Sequence, residues 1–166
     1  MEDLGGTWQE DIGIVEGIIV DYYSTLFSSS NPMDFMELID VVEPKVTGAM
    51  NQMLLRDFQE FEVNIALKQM YPLKALGPNG MPPLFFQHFW PLIGNVVTKT
   101  VLDFLNFGIV PPNFNETHIV LVPKIKEPKR VTDYRLISLC NVVYKLAIKA
   151  IANRLKKILP SIISDT

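Results

Sequence analysis

Thr117-His118-Ile119-Val120-Leu121-Val122-Pro123, followed by Lys124-Ile125-Lys126-Glu127-Pro128-Lys129-Arg130 and then by Val131-Thr132-Asp133-Tyr134-Arg135-Leu136-Ile137, is the stretch that decides the fold class. Residues 117–122 are β-branched and apolar, which predicts a strand. The stretch 126–133 is polar and charged, and Tyr134 to Ile137 can return as the second strand of a hairpin. Outward from this hairpin the pattern is helical. A long helix is predicted from Ser138 to about Leu159, with Leu139, Val143, Ala147, Ile151 and Leu155 at four-residue spacing and Pro160 as its stop. On the other side, helical spacing fills 84–107, with Pro91 as a candidate kink, and ends at Gly108 before Pro111-Pro112. Residues 72–83 hold two glycines and four prolines and read as a loop. Further helices are predicted at 60–70, 46–55, 34–41 and 11–27, the last ended by Ser28-Ser29-Ser30-Asn31-Pro32. The fold class is therefore α+β, mainly helical, with one small β-hairpin.

The chain has 166 residues, 48% apolar and 20% charged, which excludes a disordered protein and allows a real core. One cysteine permits no internal disulfide or zinc spacing and predicts a reducing, intracellular setting, nucleus or cytoplasm, with no targeting signal to choose between them. No apolar run reaches the roughly 18 residues that span a bilayer, so no membrane partner is expected. The net charge of −3 hides a division. Residues 1–62 hold 13 acids against Lys45 and Arg56 and carry −11, whereas residues 63–166 hold 13 bases against five acids and carry +8. The chain thus reads as an acidic helical extension, 1–62, ahead of a basic part, 63–166, that can meet polyanions. Two solvated faces that satisfy each other would have the same arithmetic.

Common catalytic signatures are absent: there is no phosphate-binding loop with lysine, no nucleophile elbow and no zinc-protease helix. His88, in the aromatic run Phe85-Phe86-Gln87-His88-Phe89-Trp90, reads as a packing residue, and Cys140 as a small core residue at a helix start. Three basic features remain. In Lys74-Ala75-Leu76-Gly77-Pro78-Asn79-Gly80 the glycines permit close backbone approach and Asn79-Gly80 is a turn pair, so Lys74, Gly77, Asn79 and Gly80 suit either a phosphate backbone or a plain connection. Lys124, Lys126, Lys129, Arg130 and Arg135 gather cations on the hairpin, opposed by Glu127 and Asp133, where ammonium and guanidinium groups can grip a polyphosphate or simply be solvated. Lys145, Lys149, Asn153 and Lys156 fall on one face of the last long helix, opposite its apolar stripe, as a nucleic-acid groove or a solvated face.

At these positions the sequence resembles the reverse transcriptase of LINE-type (non-LTR) retrotransposons, especially those of plant genomes. The resemblance is carried by Ala66-Leu67-Lys68-Gln69-Met70, the loop Lys74–Gly80, Met81-Pro82-Pro83-Leu84-Phe85-Phe86-Gln87-His88-Phe89-Trp90, Phe104-Leu105-Asn106-Phe107-Gly108, Ile119–Lys124, and Asp133–Asn141 with Asn153-Arg154-Leu155-Lys156. Tyr22-Tyr23-Ser24-Thr25-Leu26-Phe27 resembles the segment that precedes the polymerase. The resemblance implies an RNA-directed DNA polymerase, a nucleotidyltransferase with fingers, palm and thumb. It makes 63–166 the N-terminal fingers part, residues 72–80 its template loop, and Lys124 and Arg135 its contacts to the incoming nucleotide triphosphate. The complete parent enzyme would use magnesium, an RNA template, a DNA primer, and a palm and thumb from the same polyprotein. Its palm aspartates have no match in this chain, no two aspartates being adjacent, so no catalytic residue, metal ligand or cofactor is expected here, and the chain is expected not to polymerise alone. Leu76, Asn79 and Leu136 depart from the family's proline, aspartate and proline. The alternative is a non-enzymatic nucleic-acid- or protein-interaction module from a decayed retroelement, docking a partner through the acidic helices and the aromatic face of 84–107.

Overall fold

Capping chemistry sets the helix boundaries. A computed structural model describes residues 1–30, 39, 41 and 43–163. Helix α1 (Ile12–Leu26) begins where the Asp11 carboxylate accepts the Ile14 N–H at 3.1 Å. Thr47 does the same for α2 (Gly48–Leu55), accepting from Met50 at 3.2 Å. In α3 (Glu60–Lys68) the Glu62 side chain reaches back to the Gln59 N–H at 2.9 Å. Helix α4 (Pro83–Phe107) opens on proline, where a missing donor is harmless, and stops at Gly108 in the left-handed conformation, φ 68°. It runs unbroken through Pro91, and Gly94 leaves room for the Trp90 indole, which a Cβ there would approach to 2.9 Å. All four helices lie where the sequence predicts them. The helix predicted over 34–41 falls, apart from 39 and 41, outside the described residues.

Strands β1 (Thr117–Pro123) and β2 (Tyr134–Cys140) form one two-stranded sheet, with a 3-10 turn at Val131–Asp133 leading into β2. The second strand is longer than the predicted Tyr134–Ile137. Seven residues of β1 require seven partners, so β2 runs on through Ser138, Leu139 and Cys140, and the next helix, α5 (Val142–Leu155), starts only after Asn141. It also ends earlier than predicted. Pro160 stops nothing: it lies in the first turn of a separate short helix, α6 (Leu159–Ile162).

Contacts divide the chain into two units, 1–43 with 119–137 and 44–118 with 138–166. In the first unit, Glu2 and Trp8 form an antiparallel bridge, and the Asp3 carboxylate accepts from the Gly5 and Thr7 amides and the Gln9 side chain. Helix α1 packs on the 3-10 turn, where Val131 is buried, but buries no residue of its own.

In the second unit α3, α4 and α5 pack on one another around Val63, Ala66, Phe86, Val101, Val142 and Leu146. The Gln87 amide donates to the Leu67 and Met70 carbonyls at 3.1 and 2.9 Å, satisfying the end of α3 from α4. The Asn106 side chain pairs with both backbone groups of Phe58, accepting at 2.7 Å and donating at 3.1 Å. The buried stripe of α5 is Val142, Leu146, Ala147, Ala150 and Arg154, about one residue out of phase with the predicted one: Leu139 belongs to the strand and Leu155 is exposed.

Arg154 continues that stripe with a charge. Its side chain is 7% exposed and holds Glu62 through two hydrogen bonds of 2.7 Å. It also donates to the carbonyls of Leu54, Arg56 and Asp57, and its guanidinium carbon lies 3.5 Å from the centre of the Phe58 ring. The Arg154 hydrogen bonds hold the Glu62 carboxyl below the usual carboxylate range. A carboxyl whose pKa is lower folded than unfolded stabilises the fold above the carboxylate range and loses that contribution as pH falls through it. Arg154→Met should therefore lower the urea-unfolding free energy by roughly 3–5 kcal/mol, because Glu62 is stranded without its partner. Glu62→Gln should flatten the acid limb of a melting-temperature profile. An Arg154→Met variant of wild-type stability would refute the role given to this pair.

Candidate nucleic-acid interface

The loop after α3 is built by short turns. Pro72 presets its own φ, the Lys74 N–H donates to the Tyr71 carbonyl at 3.1 Å, and the Pro72 carbonyl accepts the Leu84 N–H at 3.0 Å. Further on, Gly80 closes a turn onto the Gly77 carbonyl with φ 67°. Gly77 is buried where two pieces of backbone meet: a Cβ there would lie 2.5 Å from the Cys140 carbonyl carbon and 2.6 Å from the Asn141 nitrogen. The Asn79 N–H donates to the Asn141 side chain at 3.2 Å, and the Lys145 ammonium donates to the Ala75 carbonyl at 2.9 Å. The start of α5 thus holds the loop in place.

This arrangement leaves a groove of about 690 Å³ between the beginning of the loop, the end of β2 and α5. Lys74, Lys145 and Lys149 line it with Tyr71, Tyr144, Ser138 and Cys140, and among the described residues no carboxylate does. In a chain with more acids than bases, three cations on an acid-free groove form a locally positive surface. Burial, opposed by the Cys140 thiol and assisted by the Lys74 charge, holds the Lys145 ammonium below the usual lysine range.

Three of the sequence-predicted residues, Lys74, Lys145 and Lys149, are brought together here. Lys156 lies elsewhere, on a cavity shared with Phe61, Glu62 and Arg154. Gly77 serves internal packing, and Asn79 lines a different cavity, of about 510 Å³, with His118 and Asn141. His88 is exposed and edge-on to Phe89, so it is not the packed histidine the aromatic run suggests. Cys140 ends a strand rather than starting a helix, and its sulfur accepts from the Thr117 hydroxyl at 3.3 Å. Tyr71 is a groove residue that the sequence pattern does not single out. Its one signal is a tyrosine just ahead of a proline turn, three residues from a lysine.

The hairpin cations are held differently. The Lys124 backbone donates to the Asp133 carbonyl and its ammonium to the Thr132 carbonyl, both at 2.7 Å. The Asp133 carboxylate accepts the Lys129 and Arg130 amides at 2.9 Å each, and these donors, Arg130 first, keep its pKa below the usual range. Arg130 also pairs with Glu2 at 3.1 Å. Lys126 and Arg135 are exposed and carry no ion pair among the described residues. The register that pairs Lys124 with Asp133 sets Arg135 opposite Val122, so Lys124 and Arg135 share one face of the hairpin, two positions apart. Among the described residues, no three His, Cys, Asp or Glu side chains gather as a metal site, and no helix is long and apolar enough to cross a membrane.

No protein-family profile matches the chain. It is similar to a transposon-encoded protein. The relative is the transposon TX1 uncharacterized 149 kDa protein of Xenopus laevis, 29% identical over 160 residues that make up 95% of this chain. The chain spans 12% of that protein's length.

The loop makes a direct prediction. Gly77→Ala should force the backbones of 77 and 140–141 apart and cost about 1–3 kcal/mol of stability, read by urea unfolding. Stability equal to wild type would contradict the close approach.

Proposed function

We propose that this chain is a nucleic-acid-binding piece of a retrotransposon RNA-directed DNA polymerase: the fingers region, which contacts the template and the incoming nucleotide triphosphate. The observation that carries this reading is the acid-free groove lined by Lys74, Lys145 and Lys149. Phosphates bound there would neutralise cations drawn from a loop and a helix at once. Similarity to a transposon-encoded protein over 95% of the chain supports a retroelement origin. Lys124 and Arg135, on one face of the hairpin, are the residues that would meet the triphosphate, an exposed guanidinium gripping two oxygens and the ammonium exchanging the Thr132 carbonyl for a third. The magnesium of such a polymerase would need a carboxylate set that the described residues do not offer.

A second reading, a protein-docking module, is favoured by one observation: Phe89, Leu92 and Val96 form an exposed apolar stripe on α4, with Leu92 79% and Val96 70% exposed.

Filter binding of single-stranded RNA or DNA across a salt series separates the two. The nucleic-acid reading expects retention at low salt that falls steeply toward physiological salt. With three lysines engaged, the logarithmic slope should be roughly −2, at about −0.7 per phosphate. A Lys74→Ala/Lys145→Ala/Lys149→Ala variant should lose most of that slope. Absence of retention at low salt would overturn the nucleic-acid reading in favour of the docking module. Primer extension with magnesium should give no product.

A further inference from the structure

A solvated lysine patch needs no aromatic residue, yet the groove has one at its rim. Tyr71 is 69% exposed, although it directly follows Met70, which is buried in the core. Its backbone is fixed: the 71–74 turn is closed by the Lys74 N–H, and the Pro72 carbonyl is held by Leu84. Turn geometry brings the α-carbons of Tyr71 and Lys74 within about 7 Å, and both residues line the groove. Tyr144, the other tyrosine of the groove, already packs edge-on against Phe114 with ring centres 5.6 Å apart. Tyr71 has no ring partner and no hydrogen bond of its side chain among the described residues.

We propose that the groove takes a single strand of nucleic acid, with one base stacked on Tyr71 and the phosphates beside it met by Lys74, Lys145 and Lys149. The inference rests on the nucleic-acid reading above and refines it. Aromatic side chains interleaved with cations bind single strands because every unpaired base offers a π-face, whatever the sequence. In a duplex those faces are covered by neighbouring base pairs, and the ring has nothing to stack on. Lys145 is suited to meeting a phosphate, because its ammonium rests on the Ala75 carbonyl and can exchange it for a phosphate oxygen, regaining a full counter-charge.

Fluorescence anisotropy with a labelled short oligouridylate, and with an RNA duplex of the same length, tests this at low salt. The wild-type chain should bind the strand more tightly than the duplex. Tyr71→Ala should weaken strand binding roughly 5- to 150-fold and leave duplex binding unchanged, whereas Tyr71→Phe keeps the ring and should bind as wild type. Lys74→Ala should weaken both probes. Photocrosslinking of the wild-type chain to an iodouridine strand, mapped by peptide mass spectrometry, should modify Tyr71 without recourse to any variant. If the wild type binds but Tyr71→Ala binds the strand equally well, or the crosslink maps outside the groove, stacking is overturned while the nucleic-acid reading stands. If neither probe is bound at low salt, both fall together.

Discussion

A buried guanidinium must find partners for five N–H donors, and satisfying Arg154 organises much of the second unit. Helix α5 delivers the arginine at the end of its buried stripe, α3 supplies Glu62, and the chain from Leu54 to Asp57 bends to present three carbonyls. Phe58 covers the guanidinium, and its own backbone is held by Asn106 of α4. One side chain therefore ties together the end of α2, the connection after it, and two of the three core helices. Such a pair contributes more through what its loss would strand than through its net attraction. The short connection between α2 and α3 consequently has one geometry.

The groove depends on that order at one remove. Lys145 and Lys149 occupy α5 nine and five residues before Arg154, and the loop bearing Tyr71 and Lys74 is fastened to the start of the same helix by Asn141 and Lys145. A lysine whose ammonium supports a carbonyl is structural until a better anion arrives. The hairpin follows a similar economy: Asp133 collects two amides and Lys124 a carbonyl, so the basic loop is shaped by its own charges.

Gly108 ends α4 as the sequence predicts, whereas Pro160 ends no helix, and the caps Asp11 and Thr47 show themselves only in the folded chain. Ser138-Leu139-Cys140 reads wrongly as helix because a short apolar run looks the same as strand or helix, and only the length of its partner decides between them. That error shifts the apolar stripe of α5 onto Leu139 and Leu155 and hides Arg154, since the series Leu139 to Leu155 is apolar throughout whereas the adjacent one, Val142, Leu146 and Ala150, runs into the arginine. The basic groove is legible in part. Its lysines are visible as separate loop and helix features, but their convergence is a tertiary fact. Lys156, in series with Lys149 but at the C-cap of α5 and on a separate cavity, shows how little spacing alone can say about it.

The two tryptophans are divided evenly between the units. Trp8 is 54% exposed in its bridge to Glu2, while Trp90 lies partly buried beside Gly94 in the α4 core. Indole emission shifts with the polarity around the ring, so the intact chain carries one built-in optical reporter per unit: a red-emitting one in the first and a bluer one in the second. Replacing Trp8 with phenylalanine leaves a single emitter, and the melting of the helical core can then be followed by its own colour.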